Sequence, residues 1–545
     1  MVQKDSNPVC NPEALKIDYG SVKEFRQLDL EDTAKRKLRT FAQYKRTRGR
    51  REQPIRKPVA RPSMGPDMMH LEKYSAKHYP KGRMLVIIND DLYPFVKDSI
   101  AQYVRDLAYA GLYAITYRYK GGTATQLRDF LRRFRVKKPN FSIRGAVLIG
   151  TLPVAWFQRT DRLIGKRGQP EEFPCDLFFM DLNGKWKDPD KDGDFNIHAD
   201  NVKPEIWIGR IWTPTMNGND ANLINDYFER NHAFRTGYLG CSNKGLALVD
   251  DDWKEFGDCA LDKVFSSDNI TVHSDKEKTS ADTYKYELTK SWGWAHICVH
   301  SNALMHAFDQ PQKVTGEGLR EIIVPVSYIR DQNPSQSFFY NLFASHSARY
   351  TQADYMGGWY IFDKEGFGVN PGMALVGSTS GGSMLYFENF YRPMAVGSSI
   401  GESLLQWWSQ IGVHNDYVVG RFYGLTLLGD PTLNWWHGAV PRMLKPLPGQ
   451  VFSHYRRQTR FEWEPVQVEG AEIEYHVEVD AEYATIGSSK WGPENDQEWL
   501  KYKGIKTNYI DHIFVGATRG RWRVRAKIGD MLCPWSEWSY FHYTI

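Results

Sequence analysis

Two stretches of this sequence end in side chains that could work on a substrate. Ala295-His296-Ile297-Cys298-Val299-His300-Ser301-Asn302 is an apolar run that closes on a histidine, and Phe338-Phe339-Tyr340-Asn341-Leu342-Phe343-Ala344-Ser345 is an aromatic run that closes on a serine. Short apolar runs that stop abruptly in small and polar residues are the pattern of buried parallel strands. In open α/β sheets the working crevice lies at the carboxyl ends of such strands. His300 then stands as a base beside a nucleophile position, Ser345. The next strand, Met373–Gly377, runs into Gly377-Ser378-Thr379-Ser380-Gly381-Gly382, a donor-rich loop suited to a peptide backbone or an oxyanion. The plainer alternative is that His300 is a hydrogen-bonded filler at a strand end. An acid that orients His300 is expected, with Glu171 and Glu172 as candidates.

A second constellation is Asp188-Pro189-Asp190-Lys191-Asp192-Gly193-Asp194, which spaces carboxylates two apart and puts glycine where the chain must turn. Hard oxygen ligands in that order open an EF-hand loop and suit Ca²⁺. The twelfth position is Ala199 rather than Glu, so a full EF-hand is excluded, and Asp200 or Glu205 is the nearest source of a further ligand. A solvated acidic turn is the competing reading.

These residues need a scaffold, and the chain shows one. Met84–Ile88, Tyr113–Tyr117, Gly145–Gly150, Glu205–Ile211, Leu246–Val249 and Ile270–His273 read as strands. Between or after them lie helical patterns at Val96–Ala110, Thr125–Phe134, Asp220–Phe234, Lys254–Phe265, Ala281–Lys290 and, later, Ser398–Trp408. Strand and helix in alternation mark a parallel sheet in an α/β fold. No GxGxxG or GxxxxGK[ST] follows any strand, so no nucleotide or other organic cofactor is expected.

Beyond Pro441 the pattern changes to period two, as in Tyr475-His476-Val477-Glu478-Val479 and Gly520-Arg521-Trp522-Arg523-Val524-Arg525-Ala526. Short alternating strands without helices read as a β-sandwich, and residues 441–545 resemble a fibronectin type III or immunoglobulin-like module. Its Trp535-Ser536-Glu537-Trp538-Ser539 looks like the WSxWS signature of cytokine receptors. A simpler account is that Arg521, Arg523 and Arg525 share one strand face and the two tryptophans stack between them, at roughly 0.5–1 kcal/mol per exposed pair.

The chain of 545 residues is too long for one core, and its 41% apolar and 25% charged content is that of a globular protein. Between Thr33 and Pro62 twelve basic residues face one acid, so with a net charge of only +5 the remainder is mildly acidic. Residues 1–80 read as a basic arm, solvated and docked on that acidic body or serving as a cleavable pro-segment. Nucleic acid is not expected as a partner, because the window lacks aromatic interleaving and matches no nucleic-acid fold. The six cysteines form no CxxC pair, which argues against both a disulfide framework and structural zinc. No apolar run reaches the ~18 residues of a membrane span, and the start has no signal-peptide pattern, so a soluble protein is expected, cytoplasmic or secreted after loss of a leader.

The order of motifs carries a family likeness. His300 and Ser345, Asp181-Leu182-Asn183-Gly184-Lys185-Trp186, Trp207-Ile208-Gly209-Arg210-Ile211, Ser399-Ile400-Gly401-Glu402 and Leu427-Leu428-Gly429-Asp430-Pro431-Thr432-Leu433 together resemble the gingipain family of cysteine peptidases. The likeness spans residues 81–440, with a subdivision near 240 left open. It implies a caspase-like three-layer sandwich with a mostly parallel sheet, a Cys-His dyad cleaving after Arg or Lys, and calcium. It also implies a protein or peptide substrate bearing basic residues and leaves room for a regulatory protein partner. Asp176 sits where family members place a carboxylate for a basic side chain, though a turn-capping role is equally consistent. Ser301, Gly377 and Ser378 would contact substrate, Ser301 through its backbone N–H. Two departures stand out. Val299 and Ser301 flank His300 where glycine is usual, and Ser345 stands where the family has its nucleophilic cysteine. A serine hydroxyl supplies none of the thiolate that such a site uses. The sequence is then an inactive Cys→Ser form, made to trap substrate or stop self-cleavage, or a natural pseudoprotease that binds peptides without cutting them. The intact neighbourhood favours the first.

Overall fold

The computed structural model describes residues 40–43, 82–135, 142–159, 170–199, 202–235, 239, 241–308, 322–332, 335–363, 370–395, 397–412, 416–435, 440–453, 457–466, 472–485, 488–491, 500–514, 519–528, 531–533, 535–536 and 538–544. Apart from 40–43, the N-terminal arm of residues 1–80 and its Arg46–Arg51 stretch lie outside the described residues, as does Asp200. The chain forms two compact units, one from residues up to 228 with 244–433, the other from 229–243 with 434–545.

Ten strands build the first unit's main sheet: β1 (Gly82–Asn89), β2 (Leu112–Tyr119), β3 (Ile143–Ile149), β4 (Trp207–Ile211), β5 (Gly245–Val249), β6 (Ile270–His273), β7 (Ser291–Cys298), β8 (Gln336–Phe343), β9 (Ala374–Ser378) and β10 (Leu425–Gly429). Their order is β6-β5-β7-β8-β9-β10-β4-β3-β1-β2. Neighbours are parallel except β9 and β10, which are antiparallel. Two parallel blocks of opposite direction therefore meet at one antiparallel seam. The chain changes block after residue 240, yet strands from both sides share one sheet.

Parity along β7 and β8 shows how the sheet is covered on both faces. Ala295, Ile297, Tyr340 and Leu342 join a core with Val96, Ile100 and Leu107 of α1 (Tyr93–Tyr109) and with Tyr284 and Leu288 of α3 (Ala281–Leu288). The alternate residues face α4 (Phe387–Ala395), with Trp294 centred 5.5 Å from Tyr391 and His296 4.5 Å from Phe387. Helix starts follow the sequence chemistry. Thr123 with Gln126 forms a capping box for α2 (Ala124–Arg133), and Ser399 with Glu402 forms one for α5 (Ile400–Ile411).

The helix expected over Lys254–Phe265 is replaced by two short 3₁₀ segments, Asp251–Phe256 and Leu261–Lys263. Gly257, Cys259 and Ala260 all adopt positive φ, which a continuous helix cannot contain.

The second unit is all β. β12 (Ile473–Thr485) pairs antiparallel with β13 (Arg519–Ile528), which pairs with β14 (Ser539–Tyr543); β11 (Gln458–Trp463) lies in a separate three-stranded sheet. Aromatic rings join the sheets, with Phe461 centred 5.1 Å from Trp522 and Trp463 5.2 Å from Tyr475. On the outer face Arg523 lies over both Trp535 (4.8 Å) and Trp538 (4.5 Å), flanked by Arg521 over Trp538 and Arg525 over Trp535. Arg523 also pairs with Glu478 at 2.6 Å. Replacing Arg523 with Ala is expected to cost about 1–2 kcal/mol of stability, and Lys to recover under half of it, because an ammonium cannot stack between two rings. Urea unfolding followed by tryptophan fluorescence measures this, and a fully restoring Arg523→Lys change would refute the stacking account.

Candidate active site

β7 and β8 are paired so that Cys298 lies opposite Phe343, and Val299 N–H donates to the Phe343 carbonyl at 3.1 Å. His300 and Ser345 follow two residues later on each strand. Both residues therefore lie just past the ends of adjacent strands, at the carboxyl edge of the sheet.

His300 is positioned from a third strand. β5 ends in Asp250-Asp251-Asp252-Trp253, and Asp250 N–H donates to the Cys298 carbonyl at 2.9 Å, which ties this segment to the end of β7. Asp252 Oδ2 lies 2.8 Å from His300 Nε2, and the Trp253 ring is centred 4.6 Å from the imidazole. The carboxylate that meets His300 is thus Asp252 and not Glu171 or Glu172. Sequence reading missed it, although a buried strand ending in three consecutive aspartates was a signal.

His300 also begins an antiparallel hairpin, His300–Asn302 with Met305–Ala307. Ser301 Oγ is engaged within it, donating to the carbonyls of Asn302 and Met305 and meeting His306 Nδ1 at 3.1 Å. His306 Nε2 meets the Tyr360 hydroxyl at 2.8 Å, and burial pushes this imidazole down to about 3, so it is neutral. The hairpin's polar groups therefore hold its shape.

Ser345 is 2% exposed, and its buried Oγ has no hydrogen-bond partner among the described residues. The chain turns sharply after it, with His346 at φ +60°, a conformation costly for a non-glycine residue. Several contacts hold the turn. His346 N–H donates to Ser380 O, Ala348 N–H to Ser378 O, and His346 Nε2 lies 2.8 Å from Glu171 Oε1. Arg159 pairs with Glu171 at 2.5 Å, and Gly381 N–H donates to it at 2.9 Å. Burial alone would raise the Glu171 carboxyl, but Arg159 and His346 outweigh it and hold it well below the usual carboxylate range. Glu171 is therefore an anchor for the residue after position 345.

Three residues expected to touch substrate are placed elsewhere. Gly377 and Ser378 are buried under the turn, where a Cβ on Gly377 would come within 3.0 Å of Ala348 Cβ, and Ser378 Oγ donates to Ser380 O. They support the turn that follows position 345. Asp176 is 2% exposed and receives Arg210 Nε at 3.1 Å and Nη2 at 2.5 Å, Thr426 Oγ1 at 2.6 Å and Tyr350 OH at 3.1 Å. With its carboxylate committed to a buried bidentate pair, it is not presented to a basic substrate side chain. Glu172 likewise serves structure. Its Oε2 accepts from Phe41 N–H at 2.8 Å, and its carbonyl accepts from Arg349, which also bonds the Thr379 carbonyl. Phe41, in the described fragment of the arm, packs 5.5 Å from Trp156.

The acidic loop folds back on itself. Carboxylate oxygens of Asp188, Asp190 and Asp192 lie within 4.8 Å of one another, and Gly193 N–H donates to Asp188 at 2.9 Å. Asp194 is fully buried, with neither carboxylate oxygen hydrogen-bonded among the described residues. Burial, with Asp192 next to it, pushes this carboxyl up to about 8. Glu205 is turned away, accepting from Leu182 N–H and Asn183.

The fold has a counterpart among solved structures. The chain is similar to the Arg-specific cysteine proteinase gingipain R (RgpB), with a TM-score of 0.50 and 10% identity over 85% of this chain and 98% of that one. A complex of the Porphyromonas gingivalis RgpB pro- and mature domains aligns with a TM-score of 0.48 and 11% identity over 85% and 100% of the two chains. No protein-family model matches the sequence. No curated protein matches it either. The architecture is therefore a gingipain-like, caspase-like α/β domain together with an all-β unit.

Asp176→Ala should destabilise the chain by about 3–5 kcal/mol, since it strands the Arg210 charge in the core. In a catalytically competent form it should leave the ratio of Arg to Gln substrate turnover unchanged in the folded fraction. Denaturant unfolding and paired peptide assays report both, and a selective loss of Arg cleavage in a stable variant would restore a pocket role for Asp176.

Proposed function

We propose that the chain is built as a cysteine endopeptidase of the gingipain/caspase-like type, with a dyad at positions 345 and 300, and that Ser345 holds this form inactive. One observation carries the reading: an imidazole fixed by Asp252 and Trp253 at the end of one parallel strand, beside residue 345 at the end of the next. With Nε2 given to Asp252, proton exchange with position 345 runs through Nδ1. A cysteine there would give its proton to the imidazole and attack the scissile carbonyl, the imidazolium would protonate the leaving amine, and water activated by the same imidazole would hydrolyse the thioester and free the thiol. Serine in the same place, far less acidic, stays protonated and attacks poorly. A preference for Arg or Lys rests on the likeness to an Arg-specific proteinase and on the acidic body of the chain, and its carboxylate is not Asp176.

Ser345→Cys is expected to create hydrolysis of Arg- or Lys-terminated peptide amides. His300→Ala in that background should abolish it, and Asp252→Asn should lower it about 10²-fold or more, because the imidazole loses its orientation. The new N-termini of the active variant, read by sequencing, report whether the Arg46–Arg51 stretch is a pro-segment. Silence of Ser345→Cys would favour the second reading, a peptide-binding protein without catalysis, for which the burial of Ser345 Oγ speaks. Labelling of the unaltered chain by a serine-directed phosphonate would overturn both.

The acidic loop suits Ca²⁺ on the chemistry of its donors: three converging carboxylates and a fourth, Asp194, buried with both oxygens unpartnered among the described residues. Such an ion would pin the loop and draw Asp194 into its ionised form as a ligand, releasing its proton. Excess EDTA should lower the melting temperature by several degrees and Ca²⁺ should restore it, while Asp194→Asn should abolish the response. A melting temperature indifferent to both reagents would leave the solvated-turn reading. The β unit is read as fibronectin type III-like on its alternating strands and its two facing sheets.

A further inference from the structure

Behind the His300 strand lies a second cluster of chemically capable side chains that the peptidase reading does not use. Cys259, His296 and Cys298 are fully buried, and one donor atom from each lies within 4.8 Å of the other two. The thiol sulfurs of Cys259 and Cys298 are 3.8 Å apart. Two sulfurs at the metal–thiolate distance of about 2.3 Å from a common centre, with a tetrahedral angle between them, stand about 3.8 Å apart. A disulfide would require about 2.0 Å.

The histidine completes the arrangement. His296 Nδ1 meets the Tyr391 hydroxyl at 2.8 Å, while Nε2 is buried with no hydrogen-bond partner among the described residues. An imidazole nitrogen in a dry core that faces only thiols carries a desolvation cost that a coordinated ion removes. A ligating histidine characteristically gives its other nitrogen to an outer partner that fixes the ring, which is the position of Tyr391. Phe387 packs against the same ring at 4.5 Å. The backbone also departs from its preferences here, since Cys259 and Ala260 are consecutive non-glycine residues at φ +54° and +61°. That turn brings the Cys259 thiol to the sheet and interrupts what the sequence pattern reads as a helix.

We infer that Cys259, His296 and Cys298 form a buried site for a thiophilic d¹⁰ metal ion, Zn²⁺ or Cu⁺. Two thiolates and an imidazole are soft donors and select these ions over Ca²⁺ or Mg²⁺. Zn²⁺ with two thiolates makes an electroneutral centre, suited to a core without solvent, whereas three ligands without a fourth suit Cu⁺. Binding replaces two thiol protons by the ion, so two protons leave for each metal taken up when both thiols start protonated. The ion would fasten the 3₁₀ segment carrying Asp252 to the strand carrying His300, since Cys259 belongs to the same stretch as Asp252, and His296 and Cys298 precede His300 on β7. The absence of any CxxC pair argued against structural zinc, but Cys259 and Cys298 meet through the fold without a short spacing.

The experiment uses the full chain, purified without metal-affinity steps, stripped with chelator under reductant, then titrated separately with Zn²⁺ and Cu⁺. Expected are one equivalent of tightly held ion by elemental analysis, an X-ray absorption spectrum with two sulfur scatterers at about 2.3 Å from the ion, and a rise in melting temperature of several degrees. Cys259→Ala and His296→Gln should each lower affinity at least tenfold, while Asp194→Asn should retain it, which separates this site from the acidic loop. Should the variants fail to fold, the sulfur count around the ion on the unaltered chain decides. An ion bound without sulfur neighbours, no uptake of either ion, or a native mass lower by two hydrogens with a Cys259–Cys298 disulfide peptide would overturn the inference.

Discussion

The parallel register of β7 on β8 is the constraint from which the site follows. Side chains along a strand alternate between faces, so pairing Cys298 with Phe343 puts His296, Cys298 and His300 on the same face as Phe339, Asn341 and Phe343. A slip of one residue would send His300 and Ser345 to opposite faces and bury the alternate set against the wrong helices. Register is held by bulk. Trp294 stacks on Phe339 at 5.4 Å, and Phe343 packs against both Trp253 and Phe256. The same aromatic wall that fixes the strands also braces the imidazole.

Buried charge is the second organising element, and here it serves shape. Asp176 with Arg210, and Glu171 with Arg159, are ions taken out of water and satisfied by several partners each, with His346 among those of Glu171. Pairs of this kind add little stability over an apolar core, yet breaking one is costly, so they specify which elements meet. Arg210 binds β4 to the segment before Asp181, and Glu171 binds a peripheral hairpin to the turn after position 345. The carboxylates that looked available for substrate or for His300 are those the fold uses to hold the edge of the sheet.

Much of the scaffold was legible because hydrophobic pattern is local. The strands at Met84–Ile88, Leu246–Val249 and Ile270–His273 were readable from apolar runs, and α5 from the helical pattern over Ser398–Trp408. Where local pattern and backbone requirement conflict the reading failed. Trp253, Phe256, Leu261 and Val264 recur at helical spacing, but Gly257, Cys259 and Ala260 turn left-handed and break the helix. Asp252 was passed over because its partner lies on another strand.

The sequence by itself determined that His300 and Ser345 close buried apolar strands, that a basic arm precedes an acidic α/β body, and that an all-β unit follows. These are properties of composition and short-range periodicity. Only the tertiary structure decided which acid meets His300, that Asp176 belongs to Arg210, and that Cys259 reaches Cys298 behind the histidine. The physical reason is the same in each case. A hydrogen bond or ion pair acts over about 3 Å, and which residues come that close is set by strand order and register, which link positions far apart along the chain.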